Sequence, residues 1–197
     1  MGELADRALT ILHDWVKAES LRKHCYAVAD SMKYFAPLSG AAADVDLWEA
    51  VGLLHDMDYE KHPNLERSST EGHPFVGVQW LRDNGWNEEV CRAILSHADY
   101  SGVAPKTNLE KTLRAVDELS GFVVAVALVR PTKSIHDVDL KSVKKKMKDK
   151  AFARAVNRDE IVHGAEKLGM PLDDMITNVI GALKSDAVRL GLAGVSS

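Results

Sequence analysis

Apolar residues recur at intervals of three and four along almost the whole chain, and this spacing limits the fold more than any other feature of the sequence. Such a period places an apolar stripe on one face of each of a series of α-helices. We predict helices over residues 3–16, 20–36, 46–54, 74–85, 88–97, 109–129, 158–168 and 172–191. The chain is therefore predicted to fold as an all-α protein.

The predicted helix over residues 109–129 contains the run GFVVAVALV, which is apolar on every side. A helix without a polar face is normally buried, so we expect this one at the centre of the fold. Its valines would also suit a β-strand, which is the alternative for this segment. The longest apolar run, residues 122–129, has eight residues, whereas about 20 are needed to span a bilayer. We therefore expect no membrane-embedded part.

The length of 197 residues fits one domain with a substantial core, and we predict a single domain over residues 1–197. Its charge is uneven, because residues 1–129 carry 12 Lys and Arg against 20 Asp and Glu, whereas residues 130–197 carry 13 against 9. This pattern predicts an acidic body and a basic helical extension over about residues 131–197. It does not indicate a stable complex with nucleic acid.

The first ten residues are charged and lack the apolar core of a signal peptide, so a cytoplasmic location is expected. The two cysteines, Cys25 and Cys91, are too few for a disulfide framework. One bridge between them is an open alternative, but both lie among apolar helical positions, which is typical of small buried thiols.

Four of the eight histidines lie beside an apolar helical face or at the end of a predicted helix. One such histidine is usually a hydrogen-bonded core residue. Four of them, with two aspartates on separate elements, need a common partner, and a cation is the simplest one. The predicted metal ligands are His24, His55, Asp56, His73, His97 and Asp117. Four imidazoles favour one or two divalent transition-metal ions, Fe, Mn, Co, Ni or Zn, over Mg or Ca.

The order H…HD…H…H…D resembles the HD-domain superfamily of metal-dependent phosphohydrolases, over roughly residues 20–130. The stretches GLLHDMDYE, VDELSGFVVAVALVRP and SVKKKMKDKAFARAVNR extend this resemblance over nearly the whole chain. They are similar to one group of predicted hydrolases of the superfamily that has no assigned substrate. The resemblance implies an HD-domain-like helical bundle, with five helices around the metal, followed by extra C-terminal helices.

The resemblance also assigns roles to the six candidate ligands. The residues that match the minimal, one-metal set are His24, His55, Asp56 and Asp117. His73 and His97 match two further histidines of members that bind two metals, in which Asp56 would bridge the ions.

The sequence departs from the family pattern directly after the HD pair. Many members read HD-x-G-K, with the lysine near the substrate phosphate, whereas here Asp58 and Tyr59 stand at the glycine and lysine positions. We predict Asp56 and Asp58 as the catalytic carboxylates. For Asp58 three roles stay open: an acid or base, a support for the metal ligands, or a loop aspartate that is in water or caps a turn.

A substrate phosphate needs cations, and the predicted substrate-binding residues are Arg130, Lys144 and Lys145. Arg130 follows the buried helix that carries Asp117. The two lysines belong to the basic segment in which the resemblance favours substrate contacts. A solvated helix face is the alternative for this lysine run.

These observations predict a metal-dependent phosphohydrolase in which a metal-bound hydroxide attacks a small phosphorylated compound, such as a nucleotide. Two alternatives stay open. Some members of the superfamily use the same six ligands to hold two irons and cleave C–C or C–P bonds with oxygen. The other alternative is a non-enzymatic, metal-stabilised module that senses a ligand, although all six ligands are present here. The sequence leaves the oligomeric state open.

Overall fold

The computed structural model describes residues 2–194, and this part of the chain contains helices and no β-strand. Its α-helices are α1 (Glu3–Trp15), α2 (Glu19–Leu38), α3 (Val45–Leu54), α4 (Phe75–Asp83), α5 (Glu88–His97), α6 (Asn108–Leu128), α7 (Leu140–Met147), α8 (Arg158–Leu168), α9 (Leu172–Ser185) and α10 (Ala187–Leu190). The prediction of an all-α fold is confirmed. Most predicted helices begin and end within three residues of the observed bounds.

Helix α6 lies at the centre of the fold and is helical along its whole length, so the strand alternative is wrong. A capping box fixes its start, because the Thr107 hydroxyl accepts a hydrogen bond from the Glu110 N–H and the Glu110 carboxylate accepts one from the Thr107 N–H. Phe122 and Val123 are fully buried. Helices α2, α5, α8 and α9 pack around α6. The end of its apolar run is not buried, contrary to the expectation, because Leu128 and Val129 are 48% and 57% exposed.

Helices α2 and α3 cross at very close range. A Cβ atom on Gly52 of α3 would come within 2.5 Å of the Ala29 Cα on α2, an approach that only glycine permits. His55 follows Gly52 by three residues, and His24 precedes Ala29 by five. The crossing therefore helps to set the distance between these two histidines.

The basic C-terminal part packs onto the same core. Helix α8 lies against α6, where a Cβ atom on Gly164 would come within 2.7 Å of the Ala115 Cα, and α9 packs against both α2 and α6.

The single helix predicted over residues 172–191 is wrong, because the chain breaks into α9 and α10 at Asp186, with φ −133° and ψ 39°. The Asp186 carboxylate pairs with Arg189 Nε at 2.7 Å just beyond this break. Helix α7, for which we predicted no bounds, is started by Asp139, whose Oδ1 accepts a hydrogen bond from the Ser142 N–H at 2.8 Å.

Cys25 and Cys91 are both buried with free thiols, so the disulfide alternative is wrong. Burial raises the pKa of both thiols, which keeps them protonated at neutral pH. Among residues 2–194, no helix combines the length and the apolar character needed to cross a membrane.

Candidate metal centre

The six predicted metal ligands converge on one place in the structure, although they come from five separate segments. The residues form two groups of three, and within each group the ligand atoms lie within 4.8 Å of one another. The first trio is His24, His55 and Asp117, and the second trio is Asp56, His73 and His97. Helix α3 ends just before His55. Because the backbone turns there, the adjacent residues His55 and Asp56 supply different trios.

The ligand atoms of the first trio are spaced like the coordination shell of one metal ion. His24 Nε2 lies 3.0 Å from Asp117 Oδ1 and 3.2 Å from His55 Nε2. His55 Nε2 lies 3.5 Å from the same Asp117 oxygen. Two ligands at about 2.1 Å from an ion are about 3.0 Å apart at right angles and about 3.4 Å apart at the tetrahedral angle. The first trio therefore fits three ligands of a transition-metal ion.

The second trio has the same spacing. His73 Nε2 lies 3.2 Å from His97 Nε2 and 3.3 Å from Asp56 Oδ1. His97 Nε2 lies 3.6 Å from that oxygen. This trio also fits three ligands of one ion.

Asp56 faces both trios. Its Oδ1 belongs to the second trio, whereas its Oδ2 lies 3.6 Å from His24 Nε2 and 3.5 Å from His55 Nε2 in the first. One carboxylate thus presents a different oxygen to each group of histidines, which is the arrangement of a carboxylate that bridges two ions.

Hydrogen bonds on the outer side of the rings fix which imidazole nitrogens carry protons. His55 Nδ1 donates to the Gly52 carbonyl at 2.8 Å, and His97 Nδ1 donates to the Ile94 carbonyl at 2.5 Å. Because a carbonyl only accepts, the Nε2 atom of each neutral ring bears a lone pair. The Nε2 atoms of His73 and His97 face each other at 3.2 Å, and two lone pairs at that distance repel unless a cation lies between them.

Asp58 is buried behind the second trio, and both of its carboxylate oxygens are occupied. Its Oδ1 accepts a hydrogen bond from His73 Nδ1 and its Oδ2 accepts one from the Gly77 N–H, both at 2.7 Å. The residue is 1% exposed, which is incompatible with a loop aspartate in water. Of the three roles left open for Asp58, the geometry supports that of a carboxylate that orients a metal-binding imidazole.

The charges of the cluster favour cations. Burial opposes a positive charge on His55, but the neighbouring Asp56 and Asp117 carboxylates outweigh burial and raise the pKa of His55 to about 9. Burial also opposes ionisation of the two carboxyls, yet the imidazoles beside them hold the pKa of both below the usual range. The two carboxylates are therefore ionised at neutral pH, and their negative charge attracts cations to the buried ligand cluster.

The three residues predicted to bind substrate have different surroundings in the structure. Lys144 Nζ pairs with the Asp173 carboxylate at 2.7 Å. Arg130 lies 13 residues after Asp117, just beyond the end of α6. Thirteen residues of helix span about 20 Å, which exceeds the length of an arginine side chain. Lys145 is exposed on α7. Substrate contacts by Arg130, Lys144 and Lys145 therefore stay a prediction.

A pocket of about 510 Å³ opens beside His24, and it is lined by a residue that the sequence did not single out, Lys23. The only signal in the sequence was its position directly before a predicted ligand. Adjacent residues on a helix point about 100° apart, so Lys23 is no metal ligand and instead flanks the site.

The fold and the cluster define a class of protein, a helical bundle whose inward-facing His and Asp side chains are suited to hold two divalent ions. The family model of the HD domain matches residues 21–121, about half of the chain, and this range includes all six ligands. The chain belongs to the HD-domain family, which consists largely of metal-dependent phosphohydrolases and whose members bind divalent metals. No solved structure matches the chain significantly.

Proposed function

We propose that this protein is a phosphohydrolase that uses two divalent transition-metal ions to hydrolyse a small phosphorylated compound. The observation that carries the proposal is the position of Asp56, whose two carboxylate oxygens face different trios. Two ions that share this carboxylate would lower the pKa of a coordinated water and offset the charge on the attacked phosphate.

The donor set favours an anionic substrate. Four neutral imidazoles and two carboxylates carry a charge of −2, so two divalent ions would leave the site with a net charge of +2. A phosphate ester is an anion, and in a partly buried site its attraction to this charge is only weakly screened. The side chains of His24 and Asp117 are 25% and 22% exposed, whereas that of His55 is fully buried. Substrate therefore approaches from the side of His24 and Asp117.

The two predicted catalytic carboxylates have different roles in this proposal. Asp56 is the catalytic residue, because one of its oxygens lies beside each of the two proposed ion sites. Asp58 is a positioning residue that fixes the ring of His73, since its two oxygens are occupied and it cannot reach a substrate proton without giving up a hydrogen bond.

The test combines metal analysis of the purified protein with a screen of phosphate release from nucleotides, sugar phosphates and simple phosphate esters. We expect close to two ions per chain and phosphate release with Mn, Co or Ni. Asp56→Ala is expected to lose metal and activity while its circular dichroism stays helical. His73→Ala is expected to bring the stoichiometry from two toward one, whereas His136→Ala, an exposed histidine outside the cluster, keeps both ions.

Normal metal content in Asp56→Ala would contradict the proposal. An oxygen-sensitive di-iron centre without phosphate release would identify an oxygenase. Full metal content without turnover of any substrate would identify the ligand-sensing module.

A further inference from the structure

The pocket borders the first trio at His24. Its walls are the start of α2, the second half of α6 and the segment after α10, and His24 is part of its lining. Gly121 of α6 has no side chain, and even a Cβ atom there would stay 3.7 Å from His24 Nδ1. Helix α6 therefore packs against the Nδ1 side of this ring at van der Waals distance, and a molecule in the pocket would contact His24.

The walls of this pocket are mostly apolar. Val124, Leu128, Leu190 and Leu192 supply the apolar surface, with the exposed Glu19 and Ser20 completing the lining near the start of α2. Leu128 is 48% exposed although it is large and apolar. Pockets for small molecules have volumes of about 300 to 1,000 Å³, and apolar walls with a few polar groups are typical of them.

Lys23 supplies the positive charge of the pocket. A Cβ atom on Gly191 would lie 2.9 Å from Lys23 Nζ, so the ammonium group rests against the backbone of the turn that follows α10. In the part of the chain that the structure describes, no carboxylate forms an ion pair with Lys23. An unpaired ammonium in a pocket that also reaches His24 is suited to bind an anionic group, and the family lysine is replaced here by Tyr59.

We propose, on the basis of the function proposed above, that this pocket holds the organic part of the substrate and that the substrate is the phosphate monoester of an apolar alcohol or phenol. Lys23 contacts the phosphate, and the apolar walls bury an alkyl chain or an aromatic ring. A sugar in the same place would lose its hydrogen bonds to water without finding partners on Val124 or Leu128, so sugar phosphates are poor ligands.

Binding of alkylphosphonates tests the pocket directly, because these compounds carry the anionic group but have no ester bond to hydrolyse. The full-length protein is loaded with Mn²⁺ and titrated calorimetrically with methylphosphonate, butylphosphonate and octylphosphonate. We expect the affinity to rise up to about fourfold for each methylene that the pocket buries. An affinity that does not depend on chain length would overturn the proposal, as would the absence of binding by all three compounds.

Two adjacent residues provide a matched pair of variants. Leu128 lines the pocket and Val129 does not, although the two are similarly exposed, at 48% and 57%. Leu128→Glu is expected to remove the gain in affinity with chain length, whereas Val129→Glu is expected to keep it. The same chain-length dependence in both variants would place the alkyl chain elsewhere.

Lys23→Met is expected to lower the affinity for all three phosphonates by the same factor, about tenfold, because it removes a contact to the anionic group and none to the chain. The exposed Lys150→Met serves as the control for a lost surface charge. If Lys23→Met binds like Lys150→Met, Lys23 is not the phosphate contact.

The same measurements separate this inference from the proposed function. Affinity that rises with chain length, without phosphate release from any ester, contradicts phosphohydrolysis and leaves the pocket in place. Phosphate release from esters, with an affinity independent of chain length, supports phosphohydrolysis and contradicts the pocket.

Discussion

The two histidines of the second trio are held in different ways. His97 donates to the Ile94 carbonyl of its own helix, an acceptor that the end of any helix provides. The ring of His73 is held by a hydrogen bond to Asp58, and the Asp58 carboxylate is held in turn by a hydrogen bond from the Gly77 N–H of α4. A Cβ atom on Gly77 would lie 2.9 Å from Asp58 Cγ and 3.0 Å from Oδ2. The orientation of His73 therefore rests on the absence of a side chain at residue 77.

Gly77→Ala is expected to displace Asp58 and to weaken binding of the ion at the second trio by about 10- to 100-fold, the usual cost of disturbing a residue behind a metal ligand. Metal titration of the variant measures this. Gly121→Ala is the matched control, since it makes the same change on a helix beside His24 but leaves 3.7 Å to the ring. Equal metal affinity in the two variants would show that Asp58 does not position His73.

At this scale the sequence predicted the ligands better than their surroundings. The six ligands could be found because inward-facing polar residues at helix faces and ends leave a pattern in the order of the chain. The role of Asp58 could not, because it depends on the N–H of a residue 19 positions away and on a close approach between them. Lys23 gave no signal of its own, since a lysine before a histidine is unremarkable.

Between elements, the contact of α2 with α10 contains a buried carboxyl. Asp30 of α2 pairs with Arg189 of α10, while its Oδ2 atom is buried without a hydrogen-bond partner. Burial raises the pKa of Asp30 from 3.8 to about 7; Arg189 opposes this shift, and the nearby carboxylates Asp186 and Glu49 add to it. The junction of the two helices is therefore sensitive to pH.

Because the folded chain holds the Asp30 proton up to about pH 7 and the unfolded chain releases it near pH 4, folding takes up a proton between these values. The stabilisation from this proton is complete below about pH 4 and is lost as the pH rises through about 7. We expect the free energy of unfolding to fall, relative to Asp30→Asn, by up to about 1.4 kcal/mol per pH unit in this window. Urea unfolding of both proteins at several pH values measures the difference; a constant difference would contradict the shift.

The helices themselves could be predicted because the apolar period of 3.6 persists through each of them. The break at Asp186 could not, because apolar residues continue at helical spacing across it, from Val179 and Leu183 to Ala187 and Leu190. The spacing of apolar residues indicates which face of a helix is buried, but it does not indicate where a single residue leaves helical geometry. The break matters because α10 and the turn after it form one wall of the pocket.

For the molecule as a whole, metal and stability are linked. Ions that bind only the folded chain stabilise it, by about 2.7 kcal/mol per site at a hundred times the dissociation constant. The Nε2 atoms of His73 and His97 face one another at 3.2 Å, a spacing that an ion bound between them would stabilise. We expect a chelator to lower the melting temperature and Mn²⁺ to restore it. Asp56→Ala is expected to melt at the same temperature with and without Mn²⁺, and a chelator-insensitive wild-type protein would be evidence against the metal centre.

The fold class could be predicted from the spacing of apolar residues alone, but the pocket could not. Its walls come from residues 19–24, 121–128 and 190–192, which meet only after α6 is buried and the C-terminal helices pack on it. Nothing in the local sequence of any one wall marks it as part of a cavity. The basic segment could be recognised from its charged residues, whereas most residues of the pocket are uncharged and give no such pattern in the sequence.

A single carboxylate shared by two trios would also couple the binding of one ion to the binding of the other. If one oxygen of Asp56 bound an ion, the other oxygen would be a weaker base, and the first ion would repel the second across the shared group. By thermodynamic reciprocity each ion weakens the other to the same extent. The sites should therefore fill in sequence, with negative cooperativity. A half-loaded protein would then exist over a range of metal concentrations, and the metal supply would select between the one-ion and two-ion forms.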